Sequence, residues 1–182
     1  MGAGAGGVLV VVDVQRGFLN PYTAHIPERI ARLVDARHYD PVLFTRFVNV
    51  AGSPYHRLLD WHDCAEPPET DIAPELERFA VPDRTFTKPG FTGLPDELTA
   101  LLRQIDPERA TIVGIDTDMC VLKVAMDVFD LGIAPVVLID CCASTAGLQA
   151  HLAGLAVLSR NIGALQLHDA GLNNGTLAAP TR

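Results

Sequence analysis

Short runs of apolar and β-branched residues recur along the chain and predict five buried β-strands. Because these runs are apolar at consecutive positions rather than at alternate ones, they are typical of strands that are covered on both faces of a sheet. The predicted strands span Val8–Val12, Val42–Phe47, Thr111–Ile115, Pro135–Ile139 and, with a weaker pattern, Ala164–Leu167. A sixth, short strand is expected at Asp83–Thr87.

Between the strands, apolar residues recur three or four positions apart, which indicates amphipathic helices. Pro27–Arg37 begins with a proline, which suits a first helical turn, and Gly132 is a typical stop after the pattern at Cys120–Leu131. Further helices are predicted at Leu94–Gln104 and Ala146–Asn161. Alternating strands and helices predict an α/β fold with right-handed crossovers around a mostly parallel sheet.

One long connection interrupts this alternation. From Val48 to Ala80 the chain is rich in proline and has no long periodic run. A connection of this length inside a domain is usually functional, as a lid or as a contact with a partner. We therefore expect it to contribute to the walls of a site.

The length and composition limit the classes of protein that are possible. The chain has 182 residues, of which 48% are hydrophobic, so it can form one domain with a sizeable core. We expect that domain to span residues 1–182, with residues 1–7 and 170–182 flexible or peripheral. The formal net charge is −8, whereas a phosphate-binding surface is basic, so we expect no nucleic-acid partner.

The apolar run Val8–Val12 is too short for a signal core or a membrane span, so no membrane partner is expected. The four cysteines are Cys64, Cys120, Cys141 and Cys142, and none of them forms a C-x-x-C pair. We interpret Cys141 and Cys142 as packing residues that follow the fifth strand. This pattern favours a reduced, cytoplasmic enzyme over a disulfide scaffold.

Polar side chains follow the predicted strands, at the edge where parallel sheets bind ligands. Asp13 comes directly after Val8–Val12, where a carboxylate is costly to desolvate unless it has a partner. It either caps the following turn or has a functional role. Lys88 follows the predicted short strand, before a Pro-Gly turn, and taken alone it is most simply a solvent-exposed lysine.

Cys120 lies where a predicted strand leads through a tight turn into a helix. A thiol at a helix start is close to the positive end of the helix dipole, which favours the nucleophilic thiolate. A buried, inert cysteine is the alternative. Asp13, Lys88 and Cys120 complement one another, because a carboxylate can accept the thiol proton and an ammonium group can stabilise the resulting charges.

Three segments together resemble the isochorismatase-like cysteine hydrolases, the superfamily that includes nicotinamidases and N-carbamoylsarcosine amidase. They are Val11–Phe18, Lys88–Phe91 and Gly114–Val121, of which the last is the most specific. The resemblance extends from about Val8 to the last predicted strand. It implies a Rossmann-like, three-layer α/β/α fold with a mostly parallel six-stranded sheet.

The resemblance also implies that Asp13, Lys88 and Cys120 form a catalytic triad. Members of the superfamily usually have a non-proline cis peptide bond before the cysteine turn, at the position of Ile115–Asp116 in this chain. Such a bond turns the Asp116 N–H toward the same point as the Cys120 N–H, so that the two groups form an oxyanion hole.

Relatives place aromatic residues beside the substrate at the positions of Phe18 and Phe91. Ordinary core packing explains an isolated aromatic residue equally well. Met119 precedes Cys120 directly and is a further candidate for the wall of the pocket.

Nicotinamidases have a metal site built from an Asp-x-His tract directly after the second strand, and this chain has Arg46–Asn49 there instead. The most similar residues, His56, Asp60 and His62, lie farther along the chain, and we interpret them as part of the long connection. We therefore predict no metal and no cofactor.

These observations predict a hydrolase that cleaves a small amide, carbamoyl or related C–N bond through a thioester on Cys120. The alternatives are an isochorismatase-type ether hydrolase, in which Cys120 is a spectator, and a non-catalytic binding or assembly protein on the same fold. The expected partners are a small-molecule substrate and further copies of this chain, because members of the superfamily commonly form dimers or larger assemblies.

Overall fold

The centre of the molecule is a parallel β-sheet of six strands. They are β1 Val8–Val12, β2 Val42–Phe47, β3 Thr85–Lys88, β4 Arg109–Ile115, β5 Ala134–Ala143 and β6 Leu167–His168. Their order across the sheet is β3-β2-β1-β4-β5-β6, and every neighbouring pair is parallel. This computed structural model describes residues 7–37, 39–173, 176 and 177, and it confirms the predicted Rossmann-like α/β fold.

Within the described residues, five α-helices cover the sheet or the connections between its strands. They are α1 Ile26–Ala36, α2 Pro54–Leu59, α3 Asp96–Ile105, α4 Leu122–Asp130 and α5 Leu148–Ile162. One face of the sheet packs against α1, and the other packs against α3, α4 and α5, which gives three layers. No helix in the described part of the chain is both long and apolar enough to cross a membrane.

The central position of β1 in the sheet explains why its sequence is apolar at every position. Leu9 and Val11 point into the core beneath α1, whereas Val8, Val10 and Val12 point into the core on the opposite face. All five side chains are almost completely buried. A strand at the centre of a parallel sheet has no face toward water, so the alternation seen in half-exposed strands is absent.

The bounds of β1 and β2 agree with the prediction, and the other strands differ in length or position. β4 begins two residues before the predicted Thr111. The short strand predicted at Asp83–Thr87 begins instead as the 3-10 turn Pro82–Arg84, so β3 spans Thr85–Lys88. The pattern at Ala164–Leu167 is mostly a 3-10 turn, Ala164–Gln166, which precedes β6.

β5 extends to Ala143, beyond the predicted end at Ile139, so Cys141 and Cys142 belong to the strand rather than following it. Both cysteines are buried, as packing residues are. The strand continues through Asp140 because the carboxylate of this residue has partners outside the strand.

Those partners are Arg29 of α1, whose guanidinium lies 2.8 Å from Asp140 Oδ2, and the N–H of Ala170, which donates to Asp140 Oδ1 at 2.8 Å. Ala170 is completely buried, so the prediction that residues from 170 onward are peripheral is wrong at this position. Beyond it, β7 Leu172–Asn173 and β8 Thr176–Leu177 form an antiparallel pair. Residues 1–6, 174, 175 and 178–182 of the predicted peripheral ends lie outside the described residues.

The long connection between β2 and β3 is mostly irregular, as predicted, and contains α2 and the 3-10 turn Pro74–Leu76. It returns to the sheet through an antiparallel bridge between Gln15 and Ile72. The buried Cys64 anchors its middle part. The connection is therefore packed against the carboxyl ends of β1 and β2.

Candidate active site

The strand order reverses next to β1, whose neighbours in the sheet are β2 and β4. In open parallel sheets, ligands bind in the crevice beyond the carboxyl ends of the strands at such a reversal. Asp13 follows β1, Lys88 is the last residue of β3, and the turn Thr117–Val121, which contains Cys120, follows β4. The structure therefore brings these three side chains to one edge of the sheet.

Asp13 is completely buried and has a left-handed backbone conformation, with a φ of 48°. Its N–H donates to the carbonyl oxygen of Thr45 on β2 at 3.3 Å and to the Thr45 hydroxyl oxygen at 3.2 Å. The Thr45 hydroxyl donates in turn to Asp13 Oδ1 at 2.7 Å. The carboxylate is therefore directed toward the neighbouring strands rather than toward the turn that follows it.

Lys88 carries a charge although its side chain is only 1% exposed. The side chain extends from β3 past Phe47 on β2, and Nζ lies 2.7 Å from Asp13 Oδ2 and 3.4 Å from Cys120 Sγ. Burial by itself lowers the pKa of Lys88, but the charge of Asp13 and the hydrogen bond to it outweigh this effect, so the pKa is raised. The group is therefore an ammonium ion, and the interpretation as a solvent-exposed lysine is wrong.

Cys120 lies in the π-helical turn Thr117–Val121, which leads into α4. Burial, followed by the charge of Asp13, raises the pKa of the thiol, and Lys88 only partly opposes this effect. The expectation that the helix start favours the thiolate is therefore wrong for the resting protein. Burial beside a carboxylate outweighs the helix start, and the sulfur keeps its proton next to a group that can accept it.

The backbone before this turn is held by hydrogen bonds between the Asp116 side chain and Thr145, which lies in the segment after β5. The Ile115–Asp116 peptide bond is cis. The Asp116 carboxylate accepts the N–H of Thr145 at 2.5 Å and its hydroxyl at 2.9 Å. Burial raises the pKa of Asp116, and the hydrogen bonds from Thr145 oppose this only in part.

α5 packs directly against the turn that carries Cys120. At Gly154 of α5, an added Cβ atom would lie 2.7 Å from the Cα atom of Asp118 and 2.9 Å from the carbonyl carbon of Thr117. Contacts this short leave no room for a side chain. The Thr117 hydroxyl also lies 2.8 Å from His151 Nδ1 of α5. The helix therefore fixes the position of the turn from the side away from the sheet.

A cleft opens beside Cys120 and contains about 330 Å³ of space that protein atoms do not fill, including the solvent at its mouth. The three side chains that the sequence suggested as substrate contacts, Phe18, Phe91 and Met119, all line it. Phe91 and Met119 are 52% and 40% exposed, so neither of them is an ordinary core residue. Sequence reasoning did not identify four further lining residues, which are Phe47, Tyr55, Trp61 and Ile115.

The missed aromatic residues form one wall of the cleft. Tyr55 makes ring contacts with Phe47, Trp61 and Phe91, with centroids 5.2, 5.5 and 5.1 Å apart. Burial is the largest cause that raises the pKa of Tyr55 to about 12, so its hydroxyl remains neutral. Two of these residues belong to the long connection, and the concentration of aromatic residues there was the available sequence signal.

Gln15 is a further residue that sequence reasoning missed. It is completely buried, and its amide nitrogen donates to the carbonyl oxygens of Phe47 at 2.9 Å and Thr70 at 3.2 Å. Its amide oxygen accepts the N–H of Phe47 at 2.7 Å. Gln15 therefore joins the end of β2 to the long connection and supports the wall of the cleft.

The residues that resemble part of a metal tract do not fit a metal centre. The rings of His56 and His62 lie 4.4 Å apart, and His62 Nε2 is 3.0 Å from Asp60 Oδ1, but the Asp60 side chain is 97% exposed. Among the described residues, no three His, Cys, Asp or Glu side chains converge as metal ligands. Directly after β2, the amide of Asn49 instead donates to the carbonyl oxygen of Trp61 at 3.0 Å.

The fold and the strand-end residues agree with a comparison against protein families. The isochorismatase domain model matches residues 7–169, which is most of the chain. The chain belongs to this family of hydrolases.

Particular proteins are similar to the chain either in sequence or in fold. The nicotinamidase/pyrazinamidase of Mycobacterium tuberculosis is 30% identical over 166 residues, covering 78% of this chain and 87% of the relative. Nicotinamidase from Bacillus subtilis has the same fold, with a TM-score of 0.74 at 19% identity over 90% of this chain and 99% of that one. N-carbamoylsarcosine amidase from Thermoplasma acidophilum has a TM-score of 0.69 at 18% identity over 84% and 92%.

Proposed function

We propose that the protein is a cysteine hydrolase that cleaves a small amide, carbamoyl or related C–N bond. The proposal depends on one observation, the position of Lys88 Nζ at 2.7 Å from Asp13 Oδ2 and 3.4 Å from Cys120 Sγ. A thiol and a carboxylate that both contact one buried cation beside a cleft are the groups that acyl transfer requires. The similarity to a nicotinamidase and to an N-carbamoylsarcosine amidase favours amide substrates.

Acylation begins when Asp13 accepts the proton of Cys120 and the sulfur bonds to the substrate carbonyl carbon. Lys88 stabilises the negative charge during this transfer, and the N–H groups of Asp116 and Cys120 bind the oxyanion. Asp13 then gives the proton to the substrate nitrogen. The C–N bond breaks, and ammonia or an amine leaves.

Deacylation uses the same groups with water as the nucleophile. Asp13 accepts a proton from water while the water oxygen bonds to the thioester carbon. The C–S bond then breaks, and the proton returns to the sulfur of Cys120. The acid is released and the thiol is regenerated, so no further reactant is needed.

The walls of the cleft favour a small, uncharged substrate. Apart from Asp116 and Cys120, the lining side chains are aromatic or aliphatic, and a ligand carboxylate would have no free cation there. Lys88 does not serve this purpose, because Asp13 already neutralises it. A flat apolar acyl group fits such a lining best.

The decisive experiment measures ammonia release from nicotinamide, pyrazinamide, benzamide and N-carbamoylsarcosine. We expect turnover of at least one amide by the native protein and none by Cys120→Ala, with an unchanged circular dichroism spectrum. A mass increase equal to the acyl group, located on Cys120, would support the thioester.

Other outcomes identify the alternatives. Hydrolysis of isochorismate that persists in Cys120→Ala would indicate an ether hydrolase in which the cysteine is a spectator. Absence of turnover, together with a fluorescence change of Trp61, the single tryptophan of the chain, on adding the amides would indicate a binding protein.

A further inference from the structure

We propose that Thr45 is a positioning residue for the reaction, which holds the Asp13 carboxylate so that one chosen oxygen faces Lys88 and Cys120. This inference rests on the proposed role of Asp13 as the proton acceptor. Thr45 does not line the cleft, and it acts only through Asp13.

The strand pairing places Thr45 beside the end of β1. Thr45 lies on β2 and pairs with Val12, the residue before Asp13, and it is completely buried. Its hydroxyl is therefore enclosed with the carboxylate, away from competing water. The parallel register of the two strands, rather than a local motif, creates this contact.

The direction of the hydrogen bonds is fixed by chemistry. The Asp13 N–H can only donate, and the Thr45 hydroxyl oxygen accepts it at 3.2 Å. The single hydroxyl hydrogen is then free to point at Asp13 Oδ1, which lies 2.7 Å away. Thr45 thus binds both the backbone and the side chain of Asp13.

These bonds give the two carboxylate oxygens of Asp13 different partners. Oδ1 accepts the Thr45 hydroxyl, and Oδ2 lies 2.7 Å from Lys88 Nζ. The proton of Cys120 must therefore arrive on the side of Asp13 that carries Oδ2. Without the hydroxyl, the carboxylate can rotate, and both oxygens compete for the single ammonium group.

The test replaces Thr45 with valine, which keeps the branched shape and removes the hydroxyl. With the amide that the native protein hydrolyses fastest in the ammonia assay, we expect kcat to fall by about 10- to 100-fold. The KM should change by less than about threefold, because the residue does not touch the substrate. Thr45→Ser restores the hydroxyl, and its kcat should lie within about fivefold of the native value.

Thr111→Val is the matched control. Thr111 is a buried threonine on β4 that pairs with Leu9, four positions before Asp13, and its replacement should leave kcat unchanged. An unchanged kcat in Thr45→Val, or equal losses in the serine and valine variants with native-like melting curves, would overturn the inference. Turnover that persists in Cys120→Ala would instead refute the proposed function itself.

Discussion

Lys88 Nζ and Asp13 Oδ2 lie 2.7 Å apart, although Lys88 ends β3, Asp13 follows β1, and β2 separates these two strands in the sheet. Both side chains are almost completely removed from solvent. A buried ion pair of this kind is costly to break, because the remaining partner becomes an uncompensated charge in a medium of low polarity. The contact therefore constrains the stability of the fold as well as the chemistry of the cleft.

Replacing Lys88 with methionine should lower the free energy of unfolding by about 3–5 kcal/mol, because it leaves the Asp13 carboxylate buried without a cation. The double variant Asp13→Asn/Lys88→Met should recover part of this loss, since neither charge then remains. Urea denaturation followed by circular dichroism measures both values.

The matched control for this substitution is Lys123→Met. Lys123 pairs with Asp127 on α4, but its side chain is 44% exposed. Lys123→Met should therefore lower the free energy of unfolding by less than about 1 kcal/mol. If Lys88→Met were as mild as Lys123→Met, the buried ion pair would not have the energetic role that its burial implies.

Asp13→Asn should change the reactivity of Cys120 and the catalytic turnover in opposite directions. The charge of Asp13 raises the pKa of Cys120, so its removal lowers that pKa and increases the thiolate fraction at pH 7. Alkylation of Cys120 by iodoacetamide should therefore become faster than in the native protein. Amide hydrolysis should fall by at least about 100-fold, because the proposed general base is lost.

Peptide mapping after alkylation identifies the labelled cysteine, and Cys120→Ala provides the background from the other three. Slower alkylation in Asp13→Asn would contradict the stated cause of the raised pKa. Retained hydrolysis in that variant would contradict the role of Asp13 as the base.

The stability of the fold should decrease in alkaline solution. Burial raises the pKa of Cys64 and Cys141 to about 12, and it also raises the pKa of Cys142. A free thiol ionises near pH ~8.5, so above that pH the unfolded chain loses protons that the folded chain keeps. The contribution of these protonated thiols to the free energy of unfolding is complete below about pH 8.5. As the pH rises toward 12, the free energy of unfolding decreases by up to about 1.4 kcal/mol per pH unit for each thiol.

Urea unfolding at pH 7.5, 8.5 and 9.5 measures this slope. Cys142→Ala has one thiol fewer, so its stability should decline less steeply with pH, whatever its value at pH 7.5. Equal slopes for the two proteins would show that Cys142 is not protected in the folded state.

Gln15→Leu should weaken both the fold and the wall of the cleft. The substitution leaves the N–H and carbonyl of Phe47 and the carbonyl of Thr70 without their partner. We expect the free energy of unfolding to fall by about 2–4 kcal/mol, because these buried backbone groups become unpaired. The KM should rise, because the long connection is no longer held against the end of β2. Thermal melts and the ammonia assay test the two effects.

Gln104→Leu is a suitable comparison, since Gln104 lies on α3 with an exposed side chain. It should leave both the melting temperature and the KM near their native values. A Gln15→Leu variant with native stability would mean that the buried amide contributes no net stabilisation.

Much of the sheet follows directly from the sequence, because its central strands are rich in consecutive apolar residues. β1 and β2 have their predicted bounds, and the strand-end rule placed Asp13 and Cys120 at the correct edge. The end of β5 did not follow, since Asp140 continues the strand only with Arg29 as a distant partner.

The parts of the site that could not be predicted depend on contacts between distant segments. In the sequence, Thr45 looks like an ordinary strand residue, because only the register of the sheet shows that it pairs with Val12. The position of Tyr55 depends on the path of an irregular connection, which has no periodic pattern. The resting protonation of Cys120 depends on how deeply the folded chain buries it beside Asp13.

The absence of a side chain at Gly154 has a consequence for how the enzyme can be altered. Because an atom added at position 154 would lie 2.7 Å from the Cα atom of Asp118, it pushes against the turn that carries Cys120. Alanine, serine and valine at this position would form a graded series that displaces Met119 and Cys120 together, since both lie in that turn and line the cleft. The shape of the cleft beside the sulfur can thus be changed from a helix position that does not itself line the cleft.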